Sequence, residues 1–260
     1  MLEQIDKGSA TESHPVPLLF VHGGWHAAWC WDEHFLDFFA DKGFRAVAVS
    51  LRGHGASTSS RPLNSCSIAD YVADVHAAAE TLGSEPVLIA HSMGCLVIQK
   101  YLETHHAPAA VLLAPSTPRG LRRIVLRMFA RHPRIFMRSS TFGDSAGLVS
   151  TPALAREFLF CAHTPEPTVE SCAARMGPES ARAGVDQMFG RLKPGLVTVP
   201  MLVLGAEDDG SRADGDVSAA ARSYRTSAEF FPGMGHNMML EPGWVDVAER
   251  IESWLAGQGL

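Results

Sequence analysis

Short apolar runs alternate along this chain with segments of helical periodicity, and this alternation constrains the fold more than any other feature. Runs this apolar are typical of strands buried on both faces of a sheet. Strands that alternate with helices predict an α/β fold with a doubly wound, mostly parallel sheet. The predicted strands cover residues 17–21, 44–49, 86–90, 109–113, 199–204 and 228–231. The predicted helices cover residues 32–42, 68–82, 93–104, 216–224 and 243–255.

The alternation stops between residues 117 and 192, where helical patterns occur without a clear strand. The charge reverses there as well. From Thr117 to Lys193 there are 12 Lys and Arg against 6 Asp and Glu, a net charge of +6, whereas the remainder of the chain carries −12. We therefore predict a core domain of residues 1–116 and 193–260 and a helical cap of residues 117–192. Such an insertion would cover the carboxyl ends of the strands, where ligands bind in sheets of this kind.

Composition excludes several classes of protein. A chain of 260 residues that is 46% hydrophobic, with a net charge of −6, can form a compact core and is not disordered. We expect no membrane span, because no apolar run is long enough, and no secretory signal at the N-terminus. Five cysteines without metal-binding spacing indicate reduced thiols and a cytoplasmic protein. A pI near 6.0 argues against nucleic acid as a partner.

Ser92 is the strongest candidate for a catalytic nucleophile. It lies in the segment Ala90-His91-Ser92-Met93-Gly94, between a predicted strand and a predicted helix, and this segment nearly matches the pattern G-x-S-x-G. A sharp turn from strand to helix exposes a serine hydroxyl at the edge of the sheet. A serine at the start of a helix is otherwise an ordinary N-cap, so the assignment depends on partners elsewhere in the chain.

A base and an acid follow Ser92 in the order expected for this architecture. His236 follows the last predicted strand, and an imidazole has a pKa suited to a general base. The acid comes from the three consecutive residues Glu207, Asp208 and Asp209, which follow the strand 199–204. Because successive residues of a strand point to opposite faces, we rank Asp208 first, Asp209 second and Glu207 third. Asp144 has no strand to position it, and we expect it to be solvated.

Two backbone N–H groups are expected to form an oxyanion hole. We assign them to Met93, directly after the nucleophile, and to Gly24, in the glycine turn His22-Gly23-Gly24 after the first predicted strand. The sequence contains no phosphate-binding glycine loop and no cluster with metal-ligand spacing. We therefore predict chemistry that uses neither a cofactor nor a metal.

Five motifs together resemble the α/β-hydrolase superfamily. They are His22-Gly23-Gly24, Arg52-Gly53-His54-Gly55, His91-Ser92-Met93-Gly94, Gly205-Ala206-Glu207-Asp208 and Gly233-Met234-Gly235-His236. The resemblance implies a capped serine hydrolase with a Ser-His-Asp triad. The segment 22–31 further resembles the branch of plant methylesterases and hydroxynitrile lyases. The lyases usually carry a lysine after the catalytic histidine and a threonine in the oxyanion loop, where this chain has Asn237 and Gly24.

The predicted cap contains a segment with amphipathic spacing. Leu121, Ile124, Val125, Met128 and Phe129 fall on one side of a helix, and arginines fall on another. The basic face could be merely solvated, or it could meet an anionic substrate group or an acidic membrane surface. The apolar side predicts a small-molecule substrate with an apolar acyl or aromatic group.

We predict that Trp25, His91, Met128 and Phe129 contact this substrate. The leading hypothesis is a serine hydrolase, an esterase acting on a carboxylic ester, lactone or thioester. Alternatives on the same triad are a C–C bond hydrolase, favoured if arginines near the pocket bind a carboxylate, and a hydroxynitrile lyase. A non-catalytic ligand receptor on the same scaffold is a further alternative. A homodimer is compatible with the sequence.

Overall fold

A seven-stranded sheet forms the centre of the molecule in a computed structural model, which describes residues 1–142, 145–211 and 215–260. The strands lie in the order β1-β3-β2-β4-β5-β6-β7, and neighbouring strands are parallel except for the antiparallel pair β1–β3. The fold is therefore the predicted α/β class with a mostly parallel sheet. The strands are β1 Gln4–Lys7, β2 Leu18–Val21, β3 Ala46–Val49, β4 Val87–His91, β5 Ala110–Leu113, β6 Met201–Ala206 and β7 Ala228–Phe231.

Helices cover both faces of the sheet. Their bounds are α1 Trp29–Asp32, α2 Phe35–Asp41, α3 Ile68–Glu80, α4 Met93–Tyr101, α5 Pro118–Arg131, α6 Pro133–Phe142, α7 Pro152–Leu159, α8 Glu166–Arg175, α9 Ala181–Phe189, α10 Asp216–Ser223 and α11 Trp244–Gly257. Side chains of a strand alternate between the two faces. In β2, Phe20 accordingly joins the apolar cluster under α1, α2 and α11, while Leu19 joins the one under α3 and α4.

Local signals in the sequence set several of these boundaries. Ser67 caps α3 through a capping box: its hydroxyl accepts a hydrogen bond from the Asp70 N–H, and the Asp70 carboxylate accepts one from the Ser67 N–H. Each strand of the parallel core is fully buried from β2 to β6, as its continuous apolar run predicts.

Strand β1 was not predicted. It contains the polar residues Gln4, Asp6 and Lys7 and is only partly buried, so its sequence lacks the apolar signal that marks the other strands. An edge strand pairs on one side only, and a lysine there discourages pairing with a second molecule.

The segment predicted as a cap is helical in the residues described, and it contributes α5 to α9. Ile124 and Met128 of α5 are buried and belong to the same apolar cluster as Phe20 of the sheet. Both residues also line a cavity with Ser92, which follows β4, so this face of α5 lies near the carboxyl end of that strand.

Candidate active site

Ser92 occupies a strained turn between β4 and α4. Its backbone has φ 53° and ψ −116°, a conformation that non-glycine residues rarely adopt. The turn is held by a hydrogen bond of 3.0 Å from the Ser92 N–H to the Leu113 carbonyl. It also requires Gly94, because a Cβ there would lie 2.6 Å from the carbonyl oxygens of Val21 and His22. Backbone strain retained at a serine that lines a cavity is typical of a functional site.

A chain of two hydrogen bonds joins Ser92, His236 and Asp209. The Ser92 hydroxyl donates to His236 Nε2 over 2.9 Å, and His236 Nδ1–H donates to Asp209 Oδ2 over 2.7 Å. The side chains of His236 and Asp209 are only 4% and 2% exposed. This geometry fixes the imidazole with its proton on Nδ1 and leaves Nε2 ready to accept a proton from serine.

The first-ranked acid, Asp208, is not in this chain of hydrogen bonds, and its predicted placement against His236 is wrong. Strand β6 ends at Ala206, and the next residues form a turn in which Asp208 is exposed. In that turn the Asp208 N–H donates to the Met234 carbonyl over 2.9 Å, and the chain then bends inward at Asp209. The alternation of strand faces therefore does not extend to these positions. Glu207, the third candidate, is exposed as well.

Asp209 is itself held in place. Its Oδ1 accepts hydrogen bonds from the Ser211 N–H at 2.8 Å and from the Ser211 hydroxyl at 2.9 Å. The two oxygens of one carboxylate thus have separate partners. Gly210 permits the close approach of the segment predicted as a cap, because a Cβ there would lie 2.2 Å from the Glu157 carbonyl oxygen.

The loop that carries His236 is fixed by buried polar groups. His91 Nε2–H donates to the His236 carbonyl over 2.9 Å. The buried carboxylate of Glu241 accepts hydrogen bonds from the Gly235 N–H at 3.0 Å and from the Cys161 N–H at 2.7 Å. Because Cys161 lies in the segment predicted as a cap, Glu241 ties that segment to the histidine loop.

The two residues predicted to form an oxyanion hole line the same cavity as Ser92. Met93 begins α4, where the first N–H groups have no partner within the helix, and it lines the same cavity as Gly24 and Ser92. Gly23 allows the glycine turn to come this close, because a Cβ there would lie 2.9 Å from Ser92 Cβ.

His26 links the glycine turn at residues 22–24 to the loop that carries His236. Its Nδ1–H donates to the Gly24 carbonyl over 2.9 Å, and its Nε2 accepts a hydrogen bond from the Asn237 amide at 3.2 Å. Burial lowers the pKa of His26 to about 4, so the ring is neutral near pH 7 and can accept this bond. The Asn237 side chain is fully buried and does not line the cavity.

A cavity of about 300 Å³ opens onto Ser92 and His236. Trp25 and Met128 line it, as predicted for residues that contact the substrate. His91 is 1% exposed and lies beneath the site, and Phe129 is 46% exposed on the outer surface of α5, so neither lines the cavity. The apolar part of the lining comes mainly from the segment predicted as a cap: Leu121, Ile124, Val125, Met128, Phe136, Leu148, Val149, Phe158, Leu159 and Met188.

The cavity lining contains one buried acid, Glu179, whose role was not predicted from the sequence. Glu179 accepts hydrogen bonds from Tyr71 at 2.8 Å and from His54 Nε2–H at 3.1 Å. Burial alone would lower the pKa of His54, but the charge and hydrogen bond of Glu179 outweigh it, and the pKa is raised. No motif surrounds Glu179, and only the fold brings it to His54.

Within the described residues, no group of three or more His, Cys, Asp or Glu is arranged to hold a metal ion. None of the described helices combines the length and the apolar character that a membrane span requires. Asp144 lies outside the described residues.

Comparison with known proteins identifies the family of the chain. Residues 18–249 match the profile of the alpha/beta hydrolase family. A non-heme chloroperoxidase of Burkholderia pyrrocinia is 28% identical over 245 residues, which cover 86% of each chain. A thermophilic esterase from Thermogutta terrifontis superposes with a TM-score of 0.75 at 21% identity, covering 100% of this chain and 94% of the other. An esterase from Exiguobacterium antarcticum superposes with a TM-score of 0.74 at 17% identity, covering 98% and 95%. The chain belongs to the alpha/beta hydrolase family.

Proposed function

We propose that this protein is a serine esterase that hydrolyses carboxylic esters through an acyl-enzyme. Ser92 is the nucleophile, His236 the general base and acid, and Asp209 the orienting carboxylate. The observation that carries the proposal is the continuous chain of hydrogen bonds from Ser92 Oγ through His236 to Asp209 at 2.9 and 2.7 Å. The esterases among the proteins of similar fold also support it.

In the first half of the reaction, Ser92 Oγ bonds to the ester carbonyl carbon as its proton moves to His236 Nε2. The N–H groups of Gly24 and Met93 donate to the oxyanion. The bond from carbon to the alcohol oxygen then breaks, and His236 returns the proton to the departing alcohol. Asp209 stabilises the transient imidazolium through Nδ1–H.

In the second half, water takes the place of the alcohol. His236 removes a proton from the water as its oxygen attacks the acyl carbon, and the tetrahedral intermediate is held by the same two N–H groups. The bond to Ser92 Oγ breaks, the serine regains its proton from His236, and the carboxylic acid leaves.

The lining of the cavity supports a substrate with an apolar acyl or aromatic group. Among the described lining residues there is no arginine or lysine to bind a substrate carboxylate, which favours an ester over the C–C bond hydrolase alternative. Asn237 stands where the lyases carry a lysine, and its amide is engaged with His26 away from the cavity, which disfavours lyase chemistry. Lactones and thioesters would react by the same steps.

The proposal is tested with p-nitrophenyl esters of increasing acyl length, with Ser92→Ala as the control. The expected result is turnover that Ser92→Ala lowers by about 10³-fold or more. Binding of these esters without turnover would favour a receptor, and turnover that persists in Ser92→Ala would refute the serine mechanism.

A second acceptor is tested in the same assay because an esterase/perhydrolase of Acinetobacter calcoaceticus is 40% identical over 81 residues, which cover 30% of this chain and 28% of the other. Hydrogen peroxide in place of water would attack the acyl-enzyme, release the Ser92 hydroxyl and give a peracid. Peracid formation from an ester and peroxide, abolished in Ser92→Ala, would establish this activity. Its absence alongside ester hydrolysis would restrict the enzyme to water.

A further inference from the structure

Helices α5 and α6 have a sequence that the cavity does not explain. Residues 117–142 contain seven arginines and no aspartate or glutamate, whereas the whole chain carries a net charge of −6. The positive charge is thus concentrated in one short part of the chain.

The inner face of α5 is already accounted for. Leu121, Ile124, Val125 and Met128 line the cavity above Ser92. The other side of α5 faces away from the cavity and presents a second set of side chains to solvent.

The second set combines arginines with large exposed apolar side chains. Leu126 is 67% exposed, Met137 61% and Phe129 46%. Two exposed arginines lie one helical turn from them, Arg123 from Leu126 on α5 and Arg134 from Met137 on α6. Leu126 lies one turn from both Arg123 and Phe129, since residues three apart are neighbours on a helix. We call these five residues the outer cap face.

The charges of this face are not neutralised within the described part of the molecule. Arg123 and Arg134 form no ion pair there, and the nearby acid Glu157 is taken by Arg131 and His132 at 3.0 and 2.9 Å. Exposed leucine and phenylalanine among unpaired arginines are typical of helices that lie in the interface of a membrane with anionic lipids.

The outer cap face is connected to the cavity through one aromatic pair. The rings of Phe129 and Phe136 meet edge to face with centroids 5.6 Å apart, and Phe136 lines the cavity. The exposed apolar side chains therefore continue inward to the apolar lining.

We infer that the outer cap face docks on an anionic lipid surface and that the cavity receives acyl esters from that surface. The arginines meet the negative headgroups, and Leu126, Phe129 and Met137 enter the boundary of the acyl region. Docking follows from the face alone, whereas hydrolysis of a lipid ester at the surface rests on the proposed esterase function.

Docking is measured by sedimentation with vesicles of equal parts phosphatidylglycerol and phosphatidylcholine, against vesicles of phosphatidylcholine alone. We expect binding to the anionic vesicles only, weakened by salt. Each arginine near such a surface strengthens binding by roughly fivefold, so Arg123→Glu with Arg134→Glu lowers it by about 25-fold or more. Leu126→Ser lowers it severalfold because an apolar side chain no longer enters the interface.

Matched controls lie outside the predicted cap, on α10 and in the segment that precedes β6. Arg222→Glu changes an exposed arginine of α10, and Leu196→Ser changes a leucine that is 56% exposed, and both leave binding unchanged. Hydrolysis of a short, monomeric ester stays at the native level in all four variants and shows that each is folded.

Equal binding to neutral vesicles, or equal losses in the control variants, would overturn the docking surface. Capture on heparin that matches the affinity for anionic vesicles and is unaffected by Leu126→Ser would identify a soluble polyanion as the partner and would also overturn it. Ser92→Ala protein is included throughout. If it and the native protein bind the vesicles and neither hydrolyses an ester, the docking surface stands and the esterase proposal fails.

Discussion

Replacing Asp209 with asparagine is the substitution that most sharply tests the proposed triad of Ser92, His236 and Asp209. Asp209 Oδ1 accepts two hydrogen bonds from Ser211, so in Asp209→Asn the amide oxygen of the new side chain is held there and its NH₂ group faces His236. An NH₂ group donates to Nδ1 and cannot accept from it. The imidazole is thereby driven to the tautomer with its proton on Nε2, which can no longer accept the proton of Ser92.

The expected loss in kcat is about 10⁴-fold, or about 5.5 kcal/mol of transition-state stabilisation, by analogy with the same substitution in the serine protease triad. Steady-state hydrolysis of a p-nitrophenyl ester measures it, and Asp208→Asn is the matched control. Because Asp208 is exposed and only its backbone N–H is engaged, that variant keeps kcat within about twofold of the native value. A severe loss in Asp208→Asn together with an active Asp209→Asn would refute the reasoning.

Three further perturbations follow from the same contacts. Met128→Ala enlarges the cavity and shifts kcat/KM severalfold toward longer acyl chains in an ester panel, whereas Phe129→Ala, outside the cavity, leaves the preference for monomeric esters unchanged. Glu241→Ala leaves two buried N–H groups without an acceptor, so it lowers the free energy of unfolding by about 3 kcal/mol and Tm by roughly 10 °C in calorimetry. The control Glu249→Gln changes an exposed side chain and leaves Tm unchanged. The pKa of His26 is about 4 in the folded protein and 6.5 in the unfolded chain, so as the pH falls the unfolded chain is protonated first and about 3 kcal/mol of stability is lost between pH 6.5 and 4. In His26→Gln, the free energy of unfolding measured by denaturation depends less on pH in that range. An unchanged pH dependence would contradict the assignment.

The sheet was predictable because burial on both faces leaves a continuous apolar run for every strand from β2 to β6. Ser92 and His236 were predictable for a related reason: each follows directly on a strand or its turn, and parallel strands bring their carboxyl ends to one edge. The polar edge strand β1 has no such apolar run, because its residues are only partly buried.

Positions that depend on turns were harder to predict. The bend of the chain after Ala206 decides whether Asp208 or Asp209 faces His236. Backbone hydrogen bonds to Phe231 and Met234, which are distant in sequence, set that bend. The helical spacing of α5 was predicted, yet Phe129 lies eight residues beyond Leu121, about 80° around the helix, and falls outside the buried stripe.

Glu179 could not be assigned from sequence for a different reason. Its partners Tyr71 and His54 are more than 100 residues away along the chain, and three isolated polar residues form no local pattern. Only the packing of the segment predicted as a cap against the rest of the molecule brings them together.

A covalent label on the nucleophile tests the proposed catalytic role of Ser92 most directly. A fluorophosphonate probe reacts with a serine that a neighbouring histidine activates, and mass spectrometry of the digested protein identifies the modified residue. We expect one adduct, on the peptide containing Ser92, slowed strongly in Asp209→Asn and absent in Ser92→Ala. An unlabelled native protein, or an adduct on another serine that persists in Ser92→Ala, would contradict the assignment of Ser92 as the activated nucleophile.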